Sequence, residues 1–171
     1  VIFMQVSVGL TEYQFNSYLE LQILDQDART AYCGRIAAIV NLLSGFFQGI
    51  GCFLLVHTLG LRGSHLFIPC ILLMNSLLFM AFPTFAMISM VFIVLKAVDF
   101  SLFGVVREML YIPLSTDEKF RAKALIDVFT YRTSKALASG LILILQIVAG
   151  ASLLPTVRYV ALAIFCGWLA V

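Results

Sequence analysis

Long apolar stretches are the feature that most restricts how this chain can fold. A bilayer core about 30 Å thick is crossed by about 20 helical residues, each rising about 1.5 Å. The chain has 171 residues, of which 62% are hydrophobic and 12% charged, whereas soluble domains average about 45–50% apolar and about 25% charged residues. Because backbone polar groups in a bilayer must be hydrogen-bonded within the protein, helices are strongly favoured. The sequence therefore predicts an all-α membrane protein.

Six apolar stretches of about this length follow one another. They cover approximately residues 1–24, 36–61, 65–82, 83–110, 122–154 and 155–171. Pro83 and Pro155 stand at the starts of stretches, the position in a helix that proline tolerates best. The first stretch begins without a methionine, and the last is still apolar at Val171. We therefore interpret residues 1–171 as a single bundle of six transmembrane helices and as a fragment of a longer chain.

The positions of Lys and Arg between the stretches predict the orientation. The connections after the first, third and fifth stretches are assigned Arg29, Arg35 and Arg158, and those after the second and fourth are assigned Arg62, Lys119, Arg121 and Lys123. Cytoplasmic loops of membrane proteins carry an excess of these two residues. The loops around Arg62 and residues 112–123 are therefore predicted to be cytoplasmic.

Ionisable side chains inside the stretches point most directly to function. Each costs roughly 2.5–3.5 kcal/mol at the bilayer centre, so it needs a partner or a water-filled cavity. At about 100° per residue, polar residues in three stretches fall within arcs of about 80–100°. These stripes are Gln5, Glu12, Asn16 and Glu20; Lys96, Asp99, Phe103 and Arg107; and Asp127, Tyr131, Ser134, Lys135 and Ala138. Each stripe predicts one hydrated helix face.

Two of these charges favour a role in transport. Glu12 and Lys135 lie about half-way along their stretches, without an opposite charge at helical spacing inside the apolar region. Each must therefore face a cavity or another helix. Lys96 and Asp99 have a second interpretation, because residues at i and i+3 can neutralise each other as a structural pair.

Close helix contacts also leave a pattern in the sequence. Gly45 and Gly49 form a GxxxG pair within the second stretch. Small residues at this spacing allow a second helix to approach closely. This pair predicts a helix contact there.

Several other classes of protein are not supported. The sequence lacks HExxH, GxSxG, GxGxxG and P-loop motifs, so we do not expect an enzyme. A net charge of +2 is too small to indicate nucleic-acid binding. The four cysteines, at positions 33, 52, 70 and 166, have no metal-ligand spacing. We therefore expect neither a metal nor another cofactor.

The segment from Arg107 to Asp127 carries a family pattern. It begins REMLYIPL, continues with a charged insert and ends RAKALID. Both halves resemble, in order and spacing, the KEMAYIPL and KGKAAID segments of the nucleotide transporter family, the ATP:ADP antiporters of plastids and intracellular bacteria. The FSLF of residues 100–103 is similar to that family's YSLF, and the VSVGLTE of residues 6–12 is similar to a segment that ends in a translocation-path Glu.

The resemblance implies a fold and a set of site residues. The fold is a twelve-helix, major-facilitator-like transporter, of which this chain would be the C-terminal half, partnered in the bilayer by an N-terminal six-helix half. Glu12 and Lys135 correspond to transport residues of the family, and we add Lys96, Asp99 and Asn16 as substrate-binding candidates. Asn16 departs from the family pattern, which has Lys there, and this weakens the expectation of a substrate with several phosphates.

We therefore expect a secondary active transporter of the bacterial inner membrane that binds ATP and exchanges nucleotides of the ATP/ADP type by alternating access. Arg107, Glu108 and Asp127 would form gating ion pairs at its cytoplasmic mouth, although Arg107 and Glu108 can also simply snorkel to the interface. One alternative is a proton- or cation-coupled carrier of another small anion or metabolite, with Glu12 as the coupling site. Another is a non-transporting membrane module that acts as a scaffold or sensor.

Overall fold

The computed structural model describes residues 1–113 and 115–170, apart from the side chains of residues 61, 62, 127, 151 and 170. The described residues form six helices. They are α1 (Ile2–Gln22), α2 (Gln26–Gly60), α3 (Gly63–Ala81), α4 (Phe85–Leu110), α5 (Thr116–Ala149) and α6 (Leu153–Ala170). The predicted all-α class is confirmed.

The six helices differ in how apolar they are. Four of them, α2 to α5, are long and apolar enough to cross a membrane, and α6 is a shorter apolar helix. Helix α1 has the length but not the composition, because Gln5, Ser7, Thr11 and Gln14 all lie on it, and all four are buried. It is therefore a polar helix enclosed by more apolar ones.

Local capping moves the starts of two helices. Helix α2 begins at Gln26, well before residue 36, because the Asp25 carboxylate accepts a hydrogen bond from the backbone N–H of Ala28 at 2.8 Å. Helix α5 begins at Thr116, because the backbone N–H of Ser115 donates to the carboxylate of Glu118 at 3.1 Å in a capping box. The predicted loop of residues 112–123 is therefore too long, and its basic residues lie on the first turns of α5.

The prediction that Arg158 lies in a connection is wrong. Arg158 lies within α6, because this helix already begins at Leu153 and has Pro155 in its first turn. Its side chain is partly buried against α1 and α3, where it contacts Tyr18 and Phe79.

Helix α1 lies at the centre of the packing. It contacts α4, α5 and α6, while α4 also packs on α2 and α3, and α3 packs on α6. One apolar cluster includes Met4, Leu95, Phe103 and Trp168, and a second includes Phe15. The central position of α1 explains why its polar residues are buried on more than one side.

Wide π-helical turns interrupt three of the helices. They comprise Phe47–Gly51 in α2, Asp99–Phe103 in α4 and Ala124–Thr130 in α5. Such turns contain an extra residue, change the direction of the side chains that follow, and often occur at functional sites. The turn in α4 begins at Asp99, a candidate site residue.

Candidate functional site: a polar cavity between three helices

A polar cavity of about 420 Å³ lies between α1, α4 and α5. We call it the front cavity. All five residues selected from the sequence as substrate-binding candidates line it, namely Glu12, Asn16, Lys96, Asp99 and Lys135. The structure therefore places residues from three separate polar stripes around one space.

Lys96 and Glu12 form an ion pair between α4 and α1. The Lys96 Nζ atom lies 3.1 Å from Glu12 Oε2, with the lysine side chain 18% exposed and the glutamate side chain 48% exposed. Lys96 and Asp99 do not form a salt bridge with each other. The second interpretation of these two residues, a structural pair at i and i+3, is therefore not observed. The lysine is held across the helix interface, and the glutamate reaches into the cavity.

Asp99 is held by a different residue of α1. The Gln5 Nε2 atom donates to both carboxylate oxygens of Asp99, at 3.0 and 3.3 Å. Gln5 is only 3% exposed, and its Oε1 atom is buried without a hydrogen-bond partner. Its orientation toward Asp99 fixes the carboxylate at the edge of the cavity.

Lys135 approaches the cavity from α5. Its Nζ atom lies 4.8 Å from the centroid of the Tyr131 ring, at cation–π distance. No carboxylate whose side chain the structure describes forms a salt bridge with it. Lys135 is exposed, and its charge is therefore available to an anion that enters the cavity.

A close contact between α1 and α5 forms one wall of the cavity. A Cβ atom added at Gly9 would lie 2.8 Å from the Cβ atom of Ala138, closer than side chains pack. Glycine permits this approach because it has no Cβ atom. Glu12 and Lys135 lie about one helical turn from this contact on their own helices, and both line the cavity.

Two of the three predicted gating residues, Arg107 and Glu108, do not line the front cavity. Glu108 Oε1 and Lys123 Nζ are 3.0 Å apart, a salt bridge that joins the end of α4 to the start of α5. Arg107 borders a separate cavity of about 260 Å³, together with His65 and Tyr111. The side chain of Asp127 lies outside the described residues.

Besides Arg107, three further members of the predicted stripes do not line the cavity. Glu20, near the end of α1, has its Oε1 atom 3.9 Å from Arg29 Nη1. Phe103 is packed edge-to-face on Trp168 in the apolar core, and Ser134 donates to the backbone carbonyl of Thr130 in its own helix.

Sequence reasoning missed one polar contact beside the cavity. The Gln146 Nε2 atom donates to Tyr13 Oη at 3.3 Å, which links α5 to α1, and Tyr13 also lines the cavity. Gln146 interrupts the apolar run LILILQIV. A lone amide in such a run would have indicated this contact, since polar side chains between membrane helices usually find partners there.

Among the residues that the structure describes, no three His, Cys, Asp or Glu side chains cluster as metal ligands would. The chemistry of the front cavity is instead that of two lysine ammonium groups, two carboxylates and neutral amides. Lysine ammonium groups bind phosphate and carboxylate oxygens through charge and N–H donors. The two lysine ammonium groups are therefore the groups of this cavity suited to contact an anion, and the two carboxylates balance their charge.

Apolar helices of membrane-spanning length around a charged, polar cavity define a multi-pass integral membrane protein of the transporter class. Residues 85–171 match the family model of the TLC ATP/ADP transporter, and the chain belongs to this family. The predicted nucleotide transporter family is thus confirmed. No curated protein and no solved structure matches the chain.

The family match covers α4, α5 and α6. It includes three of the five cavity candidates, Lys96, Asp99 and Lys135. Helix α1, which contributes Glu12 and Asn16, lies before the matched region. The site therefore combines helices inside the match with a helix outside it.

Proposed function

We propose that this chain is part of a secondary active transporter that exchanges nucleotides of the ATP/ADP type by alternating access. The observation that carries the proposal is the front cavity, where Lys96 and Lys135 approach one space from two helices of the matched region. Its volume of about 420 Å³ is within the roughly 300–1,000 Å³ of small-molecule sites.

The two lysines have different roles in this proposal. Lys135 has no described carboxylate partner, and it would bind phosphate oxygens directly. Lys96 is held by Glu12, so a phosphate group that binds Lys96 must compete with the Glu12 carboxylate. Substrate binding would then release α1 from α4 at this point. Such an exchange of ion partners couples substrate binding to helix movement, because the substrate favours one set of contacts over the other.

The family match also supports a proposal for the parts of the transporter that lie outside this chain. We propose that the six helices are the C-terminal half of a twelve-helix, major-facilitator-like protein of the bacterial inner membrane. The N-terminal half would complete the nucleotide site with further cationic side chains. The Glu108–Lys123 salt bridge, together with Arg107 and Asp127, would act as a gate that is closed in one state and open in the other.

Counterflow in liposomes tests the proposed exchange. The full-length protein is reconstituted into liposomes loaded with ADP, and labelled ATP is added outside. We expect label to accumulate inside only when the liposomes contain internal nucleotide. Accumulation no greater than in protein-free liposomes would remove the nucleotide proposal.

A second candidate is a carrier of another small anion that is coupled to protons or cations. Two features favour it: the half-exposed Glu12 carboxylate in the cavity, and an asparagine at position 16 where the family pattern has Lys. Uptake driven by an imposed pH gradient, and lost in Glu12→Gln, would support this carrier. Nucleotide exchange that continues in Glu12→Gln without any gradient would argue against it.

A further inference from the structure

Asp99 lines the front cavity without a cationic partner. Among the residues whose side chains the structure describes, no Lys or Arg forms a salt bridge with it. Lys96 is paired with Glu12 instead, and the Nζ atom of Lys135 lies over the ring of Tyr131. A carboxylate on a membrane-spanning helix is costly unless a cation or hydrogen-bond donors stabilise it. Asp99 therefore depends on hydrogen-bond donors.

Gln5 supplies only part of what this carboxylate can accept. Its Nε2 atom donates to both carboxylate oxygens of Asp99, at 3.0 and 3.3 Å. An ionised carboxylate has about four lone-pair sites, shared equally between its oxygens. Because Gln5 uses one site on each oxygen, each oxygen keeps a site for another donor. Asp99 is partly exposed and lines the cavity, so a solute in the cavity can reach these remaining sites.

The charge of Asp99 limits which part of a solute it can contact. A phosphate group is repelled by a carboxylate, because like charges at short distance repel each other even in water. A neutral hydroxyl or amino group can instead donate a hydrogen bond to it. An adenine nucleotide has two kinds of such donor, the hydroxyl groups of the ribose and the amino group of the base.

The spacing of Lys96 and Asp99 favours the ribose over the base. The two residues lie three positions apart on α4 and both line the front cavity, which corresponds to a rise of about 4.5 Å along the helix axis. In a nucleotide, the ribose is bonded directly to the innermost phosphate group, whereas the amino group lies on the far side of the base. A nucleotide whose innermost phosphate group contacts Lys96 therefore brings its ribose close to Asp99.

We propose that Asp99 accepts hydrogen bonds from the ribose hydroxyl groups of the nucleotide, and that the transporter therefore selects ribonucleotides over deoxyribonucleotides. This inference rests on the proposed nucleotide exchange and adds the part of the substrate that is recognised. Acidic side chains bind ribose hydroxyl groups in the same way in dinucleotide-binding folds. A site that hydrogen-bonds a substrate hydroxyl group discriminates against an analogue without it, because the acceptor in the site is left unpaired.

Competition in the counterflow assay tests the inference. Liposomes that contain the full-length protein and internal ADP take up labelled ATP, and unlabelled ATP, dATP or ITP is added outside as a competitor. The sugar of dATP lacks one hydroxyl group, and the base of ITP lacks the amino group. We expect ITP to compete about as well as ATP, and dATP to compete at least about tenfold more weakly, since a hydrogen bond to a charged group is lost. Weak competition by ITP alone would overturn the inference in favour of a contact with the base.

Two substitutions of Asp99 assign the selectivity to this residue. Asp99→Ala removes both acceptors and should abolish the preference for ATP over dATP, while Asp27→Ala, on the exposed first turn of α2, is the matched control and should retain it. If Asp99→Ala does not fold, Asp99→Asn serves instead, because its amide keeps one acceptor without the charge and should reduce the preference. Where exchange by a variant is too slow to measure, the rise in melting temperature caused by ATP and by dATP gives the same comparison. An undiminished preference in the Asp99 variants would overturn the inference.

The same assay separates this inference from the proposed function. Uptake of labelled ATP no greater than in protein-free liposomes would remove nucleotide exchange, and the inference with it. Uptake that ATP, dATP and ITP inhibit equally would leave nucleotide exchange in place and overturn only the role of Asp99.

Discussion

The front cavity and a small pocket on the other side of α1 surround their positive charges with different groups. In the front cavity, Lys96 is paired with Glu12, which is 48% exposed, and the space measures about 420 Å³. In the small pocket, Arg158 lies beside hydroxyl, amide and aromatic groups in a space of about 10 Å³. The front cavity therefore has room for a solute beside its ion pair, whereas the small pocket has room for about one water.

Among these substitutions, a change at Lys135 should produce the largest loss of transport activity. We expect Lys135→Gln to reduce nucleotide exchange in liposomes by at least about tenfold, which corresponds to about 1.4 kcal/mol, because the amide cannot supply the charge that binds phosphate. Lys119→Gln, on the exposed first turn of α5, is the control and should exchange normally. Unchanged exchange in Lys135→Gln would remove this lysine from the substrate site.

Substitutions at the close contact between Gly9 and Ala138 test whether this contact sets the spacing of α1 and α5 beside the front cavity. Gly9→Ala places a methyl group 2.8 Å from the Ala138 Cβ atom, and we expect it to destabilise the protein by about 1–3 kcal/mol. Ala138→Gly in the same chain removes the opposing methyl group and should restore most of the loss. Thermal unfolding of both single variants and of the double variant measures this. No recovery in the double variant would mean that the contact does not set the helix spacing.

Substitutions in the Glu12–Lys96 pair should lower the free energy of unfolding by a smaller amount, and this loss should depend on salt. Removing one partner leaves the other charge in the cavity, and since Glu12 is half exposed we expect a loss of about 1 kcal/mol for Lys96→Gln. The double variant Glu12→Gln/Lys96→Gln should be more stable than the sum of the two single changes predicts. High salt should weaken this coupling through screening. Strictly additive losses in a double-mutant cycle would show that the pair contributes no coupling.

Substitution of Tyr131 should have the smallest effect, a modest change in the apparent affinity for substrate. Its ring lies 4.8 Å from Lys135 Nζ, and an exposed cation–π contact contributes about 0.5–1 kcal/mol. We therefore expect Tyr131→Leu to change the apparent affinity for substrate by about two- to fivefold, while Tyr131→Phe should behave like the wild type. Equal effects of Leu and Phe would indicate that the hydroxyl group matters and the ring does not.

Helical periodicity and depth together indicated part of the front cavity. Polar residues on α1, α4 and α5 recur on one face of each helix, and such faces need a cavity or a neighbouring helix. Glu12 and Lys135 are predicted from their depth in the apolar stretches, Lys96 is added as a candidate, and all three line one space. Their contact with a substrate stays a prediction. The all-α class could also be predicted, because apolar stretches long enough to cross a bilayer must satisfy their backbone hydrogen bonds within helices.

The partners of these residues could not be predicted in the same way. Lys96 pairs with a residue 84 positions away and Asp99 with one 94 positions away, so both contacts depend on how the helices pack. The GxxxG pair was an incomplete guide as well. A Cβ atom added at Gly45 or Gly49 would meet nothing within 4 Å, whereas the closest contact of this kind involves Gly9. A glycine permits close approach, but only the facing helix decides whether it occurs.

The wide turn at Asp99–Phe103 makes α4 tolerant of a length change at one point and sensitive to it at the next. The turn contains one extra residue, so deleting a residue there closes it to an ordinary α-helical turn and leaves the segments on either side in place. Deleting one residue in the regular helix that follows, between Gly104 and Arg107, would instead rotate Glu108 by about 100° about the helix axis. Glu108 would be carried away from Lys123, while Lys96 would remain beside Glu12. The position of a single deletion, a few residues apart, would thus decide whether the two ends of α4 keep their partners.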